Sequence, residues 1–340
     1  MINVGIVGLG FMAATHVKAY RKISNARIAA ICNPSGRHLD GDLSNVGGNI
    51  GPADDVKLDM SQIKACRSFE ELLADPAVDV VDICTPTIAH PALSIAALRA
   101  GKHVICEKPL ARTARLAREI IETAAKAKSF LMPAMCLRFW PEWIWLKNAI
   151  DRNTFGRVLA ARFRRVAEPP GWGQRNFLDG QQSGGALLDL HIHDSDFVQF
   201  CFGRPKSVYS TGFTKVSGAI DHVVTQYHVA DGTVVHAEGS WAMTKGFGFN
   251  MSYTAVFERA TADYDIARGP SPLMLFEENQ SPRLIQCEGG DGYVGELSHM
   301  IDSIQSGKPP TVVTPHDGLS SIEICEAEEQ SVKTGQIVLL

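Results

Sequence analysis

Lys108 is the first residue whose type and position point to chemistry. It stands between Glu107 and Pro109, directly after an apolar run from His103 to Cys106 that is typical of a buried strand. The crevice in which open α/β sheets bind ligands lies at the carboxyl ends of such strands, so Lys108 can reach it. Its ammonium group can hydrogen-bond a hydroxyl and stabilise the alkoxide that develops as hydride leaves carbon. The alternative is a surface lysine paired with Glu107.

A second set of reactive side chains lies in the segment 184–196. The apolar spacing downstream is helical, and a helix that starts near Asp189 places Asp189 and His193 on one face as an i,i+4 pair. A carboxylate beside an imidazole fixes its tautomer and raises its basicity, as a general base requires. One alternative is a buried structural pair. Another is a metal site at His191 and His193, but it needs strand geometry, so we expect no metal.

The N-terminal residues predict the element that positions a nucleotide. A β-branched run from Ile2 to Val7 is followed at once by a glycine turn and then by a segment with helical spacing. This is the order of a dinucleotide-binding site, in which the helix N-terminus faces the phosphates. The alternative is an ordinary βα turn that merely needs glycine. The predicted cofactor contacts in this turn are Gly8, Gly10, Phe11, Met12 and Ala13.

The residue after the second predicted strand decides how the adenosine ribose is held. A carboxylate there favours NAD, whereas a small residue with a nearby arginine favours NADP. Here Asn33 follows the strand Arg27 to Cys32, and Ser35 and Arg37 come next. Asn33 keeps hydrogen-bonding capacity without a charge that repels a 2′-phosphate. The sequence therefore predicts NAD or NADP, with all three residues as candidate contacts.

Strands and helices then alternate, as in a doubly wound parallel sheet. Residues at the carboxyl ends of strands face the cofactor. These are Thr85, Pro86 and His90 after one strand, and Glu107 and Lys108 after the next. For His90 alone, packing or capping is the favoured interpretation and a cofactor contact is the other. Residues 36–60 predict a long loop, whose simplest interpretation is a surface insertion.

Composition narrows the class of protein. At 340 residues, with 45% hydrophobic and 21% charged residues, the chain is expected to be a soluble two-domain protein. A net charge of −4 gives no reason to expect nucleic acid or an anionic membrane as a partner. Eight scattered cysteines without a CxxC pair are expected to be reduced, and no signal peptide or apolar span is apparent. We therefore predict a cytoplasmic location.

Beyond residue 135 the pattern changes to apolar-alternating strands. Turns such as Asp231-Gly232 predict antiparallel pairing, and two amphipathic helices, 293–305 and 318–334, close the chain. We expect a nucleotide-binding domain over residues 1–134 and a substrate-binding and oligomerisation domain over residues 135–340, with a C-terminal helix packing back on the first domain.

Taken together, the motifs resemble those of the Gfo/Idh/MocA oxidoreductases, the family of glucose–fructose oxidoreductase and inositol dehydrogenase. The resemblance runs along the whole chain. The matching motifs, in order, are Gly8-x-Gly10-x-x-Ala13, Thr85-Pro86, Glu107-Lys108-Pro109, Arg138-Phe139 and Gly184-Gly185-x3-Asp189-x3-His193-x2-Asp196. Among these, Glu-Lys-Pro together with the Gly-Gly…Asp-x3-His pattern is the specific signal.

The resemblance implies a fold, a reaction and roles for individual residues. The fold is an N-terminal Rossmann domain followed by an α/β domain with a large, mostly antiparallel sheet, whose face commonly forms dimers or tetramers. Lys108 matches the family's substrate-binding and catalytic lysine, His193 its acid/base histidine, and Asp189 the partner that binds substrate and orients the site. Arg138 and Trp172 are further candidate substrate contacts, although loop packing explains Trp172 equally well. His191 stands where many members have glycine, which would crowd or re-aim the pocket.

The sequence therefore predicts an NAD(P)-dependent dehydrogenase or reductase for a sugar, polyol or related secondary alcohol. Two alternatives share the fold. One is a glycoside hydrolase or lyase that uses the dinucleotide transiently, and the other is a sensor without catalysis. Retention of Lys108, Asp189 and His193 argues against the sensor.

Overall fold

The computed structural model describes residues 1–48, 56–171 and 174–340. These residues form two compact units. Unit 1 comprises Met1–Phe139 and Asp291–Leu319, and unit 2 comprises Trp140–Gly290 and Ser320–Leu340.

Unit 1 is built on a six-stranded, fully parallel sheet of order β3-β2-β1-β4-β5-β6. This is the Rossmann order, in which β2 and β3 are added on one side of β1 and β4, β5 and β6 are added on the other. The strands are β1 (Ile2–Val7), β2 (Ala26–Cys32), β3 (Lys64–Cys66), β4 (Val80–Ile83), β5 (His103–Glu107) and β6 (Leu131–Ala134). The helices are α1 (Phe11–Tyr20), α2 (Phe69–Leu73), α3 (His90–Arg99), α4 (Ala114–Lys126) and, from the later part of the chain, α9 (Gly292–Ser306).

Local sequence signals explain where these helices begin and end. The Ser68 hydroxyl accepts the backbone N–H of Glu71 and caps α2, as its position before two glutamates predicts. The Thr113 hydroxyl caps α4 in the same way. Gly101, after α3, has a φ of +76°, the left-handed conformation that glycine adopts most readily at a helix end.

Unit 2 contains a nine-stranded sheet of order β14-β13-β12-β11-β7-β10-β9-β8-β15. Every neighbouring pair is antiparallel except β7 and β10, so the predicted mostly antiparallel sheet is confirmed. The strands are β7 (Val158–Ala167), β8 (Ser207–Phe213), β9 (His222–His228), β10 (Val234–Ser240), β11 (Phe249–Phe257), β12 (Ala260–Asp265), β13 (Leu273–Glu277), β14 (Arg283–Leu284) and β15 (Val338–Leu339). The helices are α5 (Pro141–Asp151), α6 (Gln174–Phe177), α7 (Gly180–Ser183), α8 (Ile192–Phe202) and α10 (Pro315–Thr334), whose first turn belongs to unit 1.

Aromatic side chains fill the core between the sheet of unit 2 and its helices. Trp143 of α5 is fully buried. Its ring lies 4.8 Å from that of Phe197 on α8 and 5.2 Å from that of Tyr253 on β11, both edge-on. Edge-to-face pairs of this kind stabilise a core beyond the apolar area that they bury. They fix α8 on the sheet.

The segment before α8 differs from the expectation of a regular helix starting near Asp189. Residues Leu187–His191 form a π-helix, and α8 begins only at Ile192. Within this segment His191 packs closely against β10 at Gly239, where an added β-carbon would lie 2.5 Å from that of His191. A π-turn inserts one extra residue into a helix and is frequent at functional sites.

The predicted loop 36–60 has only one short pairing among its described residues, an isolated bridge between Asp42 and Lys57. Residues 49–55 of the predicted loop lie outside the described residues. Over the described ranges, no helix combines the length and the apolar character that crossing a bilayer requires.

Candidate active site

The glycine turn after β1 has the geometry of a dinucleotide cradle. Gly8 has a φ of +85°, and a β-carbon there would lie 2.8 Å from the carbonyl oxygen of Cys84, so only glycine fits. A β-carbon on Gly10 would instead point into open space, with no atom within 4 Å. Gly10 is also the N-cap of α1 and offers no side-chain acceptor to the first-turn N–H groups. Such groups bind phosphate, and these residues therefore fit the pyrophosphate of a dinucleotide. Phe11 and Met12 are half-buried in this turn, and Ala13 is buried against the sheet.

A turn after β2 presents the residues predicted to meet the adenosine. The side-chain oxygen of Asn33 accepts the backbone N–H of Ser35 at 3.2 Å and its hydroxyl at 2.9 Å. The amide nitrogen of Asn33 donates to the carbonyl of Arg37 at 2.7 Å. Asn33 therefore shapes the turn, while Ser35 and Arg37 are exposed.

His90 is almost completely buried and joins two segments at the strand ends. Its Nδ1 lies 2.8 Å from the carbonyl oxygen of Pro109, and its Nε2 lies 2.8 Å from that of Thr85. Burial lowers the pKa of His90, whereas the two carbonyls act in the opposite direction. This placement favours the packing interpretation of His90, and its cofactor contact stays a prediction. Thr85 is half-buried and Pro86 is exposed beside it.

Lys108 follows β5 directly. From Val104 to Ala111 every residue is buried except Lys108, which is partly exposed. The backbone N–H of Lys108 donates to Oε2 of Glu107 at 3.1 Å. A long cationic side chain at the end of a buried strand is what binding of a substrate oxygen requires.

Behind Lys108, unit 1 holds a buried polar cluster that the sequence does not reveal. Nδ1 of His16 lies 2.8 Å from Asp82, and Nε2 lies 3.1 Å from Glu107. Glu296 of α9 is also completely buried, and neither of its carboxyl oxygens has a hydrogen-bond partner among the described residues. Burial, reinforced by the charge of Glu107, raises the pKa of Glu296 well above its ordinary value of 4.5. The buried surroundings of Glu296 therefore favour its protonated, neutral form.

We predict that the free energy of unfolding of Glu296→Gln falls less with rising pH than that of the wild type. A raised pKa means that the folded chain keeps a proton that the unfolded chain loses above pH 4.5, so wild-type stability falls as pH rises from there. Glutamine mimics the neutral acid and removes this loss. Urea denaturation from roughly pH 5 to pH 8 should give a smaller decline for the variant than for the wild type. Equal declines would show that Glu296 is ionised in the folded state.

In unit 2, Asp189 and His193 are partly exposed within an otherwise buried segment. From Ser183 to Val198 every residue is buried except these two, which are partly exposed. Asp189 lies in the π-helix and His193 in the first turn of α8. The two predicted reactive residues are therefore the ones that this segment leaves accessible to a ligand.

His191 does not crowd this surface, contrary to the expectation from its position. It is fully buried, with Nε2 3.2 Å from the hydroxyl of Tyr227 and 3.5 Å from Glu328. Burial is the largest single influence on the pKa of His191 and lowers it, but the charge and hydrogen bond of Glu328, together with the charge of Asp194, raise the pKa overall. Because His191 is buried and His193 is not, the two do not form a metal-binding face. Among the described residues, neither belongs to a group close enough to hold a metal.

Asp194, next to His193, is anchored from behind. Its carboxylate lies 2.9 Å from Nε of Arg165 on β7, and both side chains are buried. Asp196 of the same helix accepts hydrogen bonds from Gln199 and Ser321. These contacts fix the backbone that carries His193.

The remaining predicted substrate contacts are placed differently. Arg138 is buried in unit 1, and its guanidinium donates to the carbonyl of Val312 at 2.8 Å and lies 3.3 Å from Asp317. These contacts support a structural role, and its contact with substrate stays a prediction. Trp172 lies outside the described residues.

A Rossmann sheet with a glycine cradle at its first strand defines unit 1 as a dinucleotide-binding domain. A family model described as "Oxidoreductase family, NAD-binding Rossmann fold" matches residues 2–135. The model of the GFO/IDH/MocA C-terminal domain matches residues 143–263. The chain therefore belongs to the Gfo/Idh/MocA family of oxidoreductases, and its N-terminal part is an NAD(P)-binding domain.

Named relatives support this assignment over the length of the chain. Myo-inositol 2-dehydrogenase of Thermotoga maritima is 28% identical, and the alignment covers 100% of this chain and 98% of that enzyme. Trans-1,2-dihydrobenzene-1,2-diol dehydrogenase of Macaca fuscata fuscata is 30% identical over 74% of this chain and 76% of that enzyme. The fold is similar to that of levoglucosan dehydrogenase in complex with NADH and levoglucosan, with a TM-score of 0.84 at 21% identity, covering 100% of this chain and 99% of that one.

Proposed function

We propose that the protein is an NAD(P)-dependent dehydrogenase for a CH–OH group of a sugar, polyol or related secondary alcohol. One observation carries this proposal. Lys108, Asp189 and His193 are the accessible exceptions in two otherwise buried segments. Reactive side chains that stay accessible in otherwise buried segments are candidates for contact with a ligand. The relatives named for inositol and dihydrodiol oxidation support the same class of substrate.

Each residue has a separate task in this proposal. Lys108 donates a hydrogen bond to the substrate oxygen and stabilises negative charge on it, and His193 accepts the hydroxyl proton. Asp189 binds the substrate and orients the site. The nicotinamide ring supplies the hydride acceptor when the dinucleotide is bound. Oxidation then removes one hydride from carbon and one proton from oxygen, and the reverse reaction returns both.

A substrate screen tests the proposal directly. Purified protein is incubated with a panel of sugars and polyols, with NAD⁺ and NADP⁺ in parallel, and absorbance of the reduced nicotinamide is followed. We expect steady production of reduced dinucleotide with at least one alcohol. Cleavage of a glycoside without net reduction would instead identify a hydrolase or lyase. Dinucleotide binding without any conversion across the panel would identify a sensor.

We further propose that the turn at Asn33 selects the cofactor. Asn33→Asp keeps the oxygen that organises Ser35 but adds a negative charge where a 2′-phosphate would lie. We expect kcat/KM for NADP⁺ relative to NAD⁺ to fall about tenfold, which corresponds to about 1.4 kcal/mol of repulsion. The exposed loop residue Asn45 provides the control, since Asn45→Asp adds the same charge elsewhere. An unchanged ratio would place the 2′-position away from Asn33.

We propose that the outer face of the nine-stranded sheet forms a homodimer or homotetramer. Apolar side chains on its strands are exposed, including Tyr209, Val224 and Val234, the last at 55%. We expect Val234→Glu to lower the mass measured by light scattering after size exclusion. Val216→Glu, at an exposed position outside the strands, should leave that mass unchanged. Equal masses for both variants would exclude this face.

We also propose a cytoplasmic location for the protein. All eight cysteines are free, and burial raises the pKa of Cys32 to about 12. Thiols of this kind are stable in a reducing compartment.

A further inference from the structure

Glu107 links the backbone of Lys108 to the ring of a buried histidine. Its Oε2 accepts the backbone N–H of Lys108 at 3.1 Å. Its Oε1 lies 3.1 Å from Nε2 of His16, which is within ion-pair distance. The contact does not have the angle of a hydrogen bond. Glu107 as a whole is 5% exposed, so its carboxylate is shielded from solvent. Each oxygen of Glu107 therefore has a different partner.

The second nitrogen of the His16 ring also faces a carboxylate. Nδ1 lies 2.8 Å from Oδ2 of Asp82, which also accepts the hydroxyl of Tyr20 at 3.0 Å. A carboxylate oxygen facing each ring nitrogen favours the doubly protonated ring, in which both nitrogens are donors. Burial is the largest single influence on the pKa of His16 and lowers it, but the charges and hydrogen bonds of Asp82 and Cys84 together outweigh burial and raise the pKa well above 6.5. His16 is thus a buried imidazolium between two carboxylates.

Protonation of His16 argues against a metal ion in this cluster. His16, Glu107 and Glu296 each have one potential ligand atom, and these three atoms lie within 4.8 Å of one another. This spacing is compatible with a small cation. A metal needs the lone pair of a neutral ring nitrogen, however, and both nitrogens of His16 are occupied by protons. With Glu296 favoured in its protonated form, the imidazolium compensates one of the two carboxylate charges of Asp82 and Glu107.

We propose that His16 and Glu107 are positioning residues for Lys108. The His16 imidazolium, anchored to β4 through Asp82, holds the Glu107 carboxylate, and that carboxylate holds the backbone N–H of Lys108 at the end of β5. This inference rests on the proposed role of Lys108 in the reaction.

The physical need for such an anchor follows from the lysine itself. Its four-carbon stem has many rotamers, and only a fixed backbone lets the ammonium group return to one position over the substrate oxygen. Misplacement of a catalytic group by 1 Å can cost about 10²-fold in rate. An ion pair within a dry cluster resists displacement more than an exposed one does.

A matched pair of substitutions tests this proposal. Glu107→Gln and Glu296→Gln make the same change within the same buried cluster, but it is the carboxylate of Glu107 that accepts the backbone N–H of Lys108. We expect Glu107→Gln to lower kcat about 10- to 100-fold, with a smaller change in KM for the dinucleotide. Glu296→Gln should stay within about twofold of wild type, because glutamine replaces a neutral acid. Equal activities of the two variants, whether high or low, would overturn the proposal.

A double variant separates positioning from general damage. If Glu107 acts through Lys108, Glu107→Gln should cost less than about twofold once Lys108 is already methionine. If Glu107→Gln lowers kcat by the same factor in the Lys108→Met background as in the wild type, Glu107 acts independently of Lys108 and the proposal is overturned. Thermal unfolding of each variant reports whether the fold is intact.

The charge state of His16 is measured without any reaction. The titratable groups that face it come from β4, β5, α9 and its own helix: Asp82, Cys84, Glu107, Glu296, Tyr293 and Tyr20. In ¹⁵N-histidine NMR we expect both ring nitrogens of His16 to be protonated at neutral pH, and Glu107→Gln to lower its pKa. A neutral ring in the wild type would overturn the proposal. Unchanged turnover of Lys108→Met would instead overturn the proposed function and leave this titration valid.

Discussion

Lys108→Met is expected to lower turnover by about 10²- to 10³-fold, the range measured when an enzyme loses a donor that stabilises a developing oxyanion. Methionine keeps most of the length of the side chain and removes the ammonium group, so the loss reports charge and hydrogen bonding rather than packing. The position supports a large effect, because Lys108 is the one accessible side chain between Val104 and Ala111. The loss should appear mainly in kcat, since the interaction is strongest when charge has developed on the oxygen.

Two measurements make this expectation specific. Dinucleotide affinity, followed by quenching of protein fluorescence, should change little, because the cradle at Gly8 and Gly10 is untouched. Lys126→Met is the control, since Lys126 is exposed in the last turn of α4 and lies outside the site. Turnover of Lys108→Met equal to that of Lys126→Met would remove Lys108 from the proposed reaction.

The sequence was sufficient to predict the parts of the site that depend on local spacing. The glycine turn, the strand that ends before Lys108 and the helical pattern after Asp189 are each set by residues close together in the chain. The parallel, doubly wound arrangement followed from the alternation of apolar runs and helices, whereas the order of the strands in the sheet is seen only in the structure. The observed sheets confirm the predicted fold class. The two family models confirm the resemblance on which the interpretation of the second half of the chain was based.

The parts that were missed depend on contacts between distant residues. His16 and Asp82 are 66 positions apart, and Glu296 reaches the same cluster from α9. No spacing rule connects such residues, so a histidine on the apolar face of α1 carried no signal. The π-helix was missed for a similar reason. His191, in this segment, packs against Gly239 of β10, and the chain brings these two residues together only on folding, so helical spacing alone does not reveal the contact.

The second large effect is expected from Arg165→Met in the core of unit 2. Arg165 and Asp194 form a pair with their side chains 4% and 0% exposed, and the guanidinium also lies 5.7 Å from the ring of Trp143. Removing one partner of a buried pair leaves an uncompensated charge and costs about 3–5 kcal/mol. For a unit of this size we expect a fall in Tm of about 6–20 °C by calorimetry. Arg204→Met is the control, because its pair with Glu323 is 40% and 22% exposed, and such pairs contribute about 1 kcal/mol or less.

The pH dependence of this loss identifies its cause. Burial already raises the pKa of Asp194, and Arg165 opposes that effect, so removal of Arg165 should raise the pKa further. The folded variant then binds a proton that the wild type does not, and the stability difference should shrink as pH falls. The double variant Arg165→Met with Asp194→Asn should recover much of the loss, because no buried charge remains. A difference that is independent of pH and not rescued by Asp194→Asn would attribute the loss to packing around Trp143, and not to the charge of Asp194.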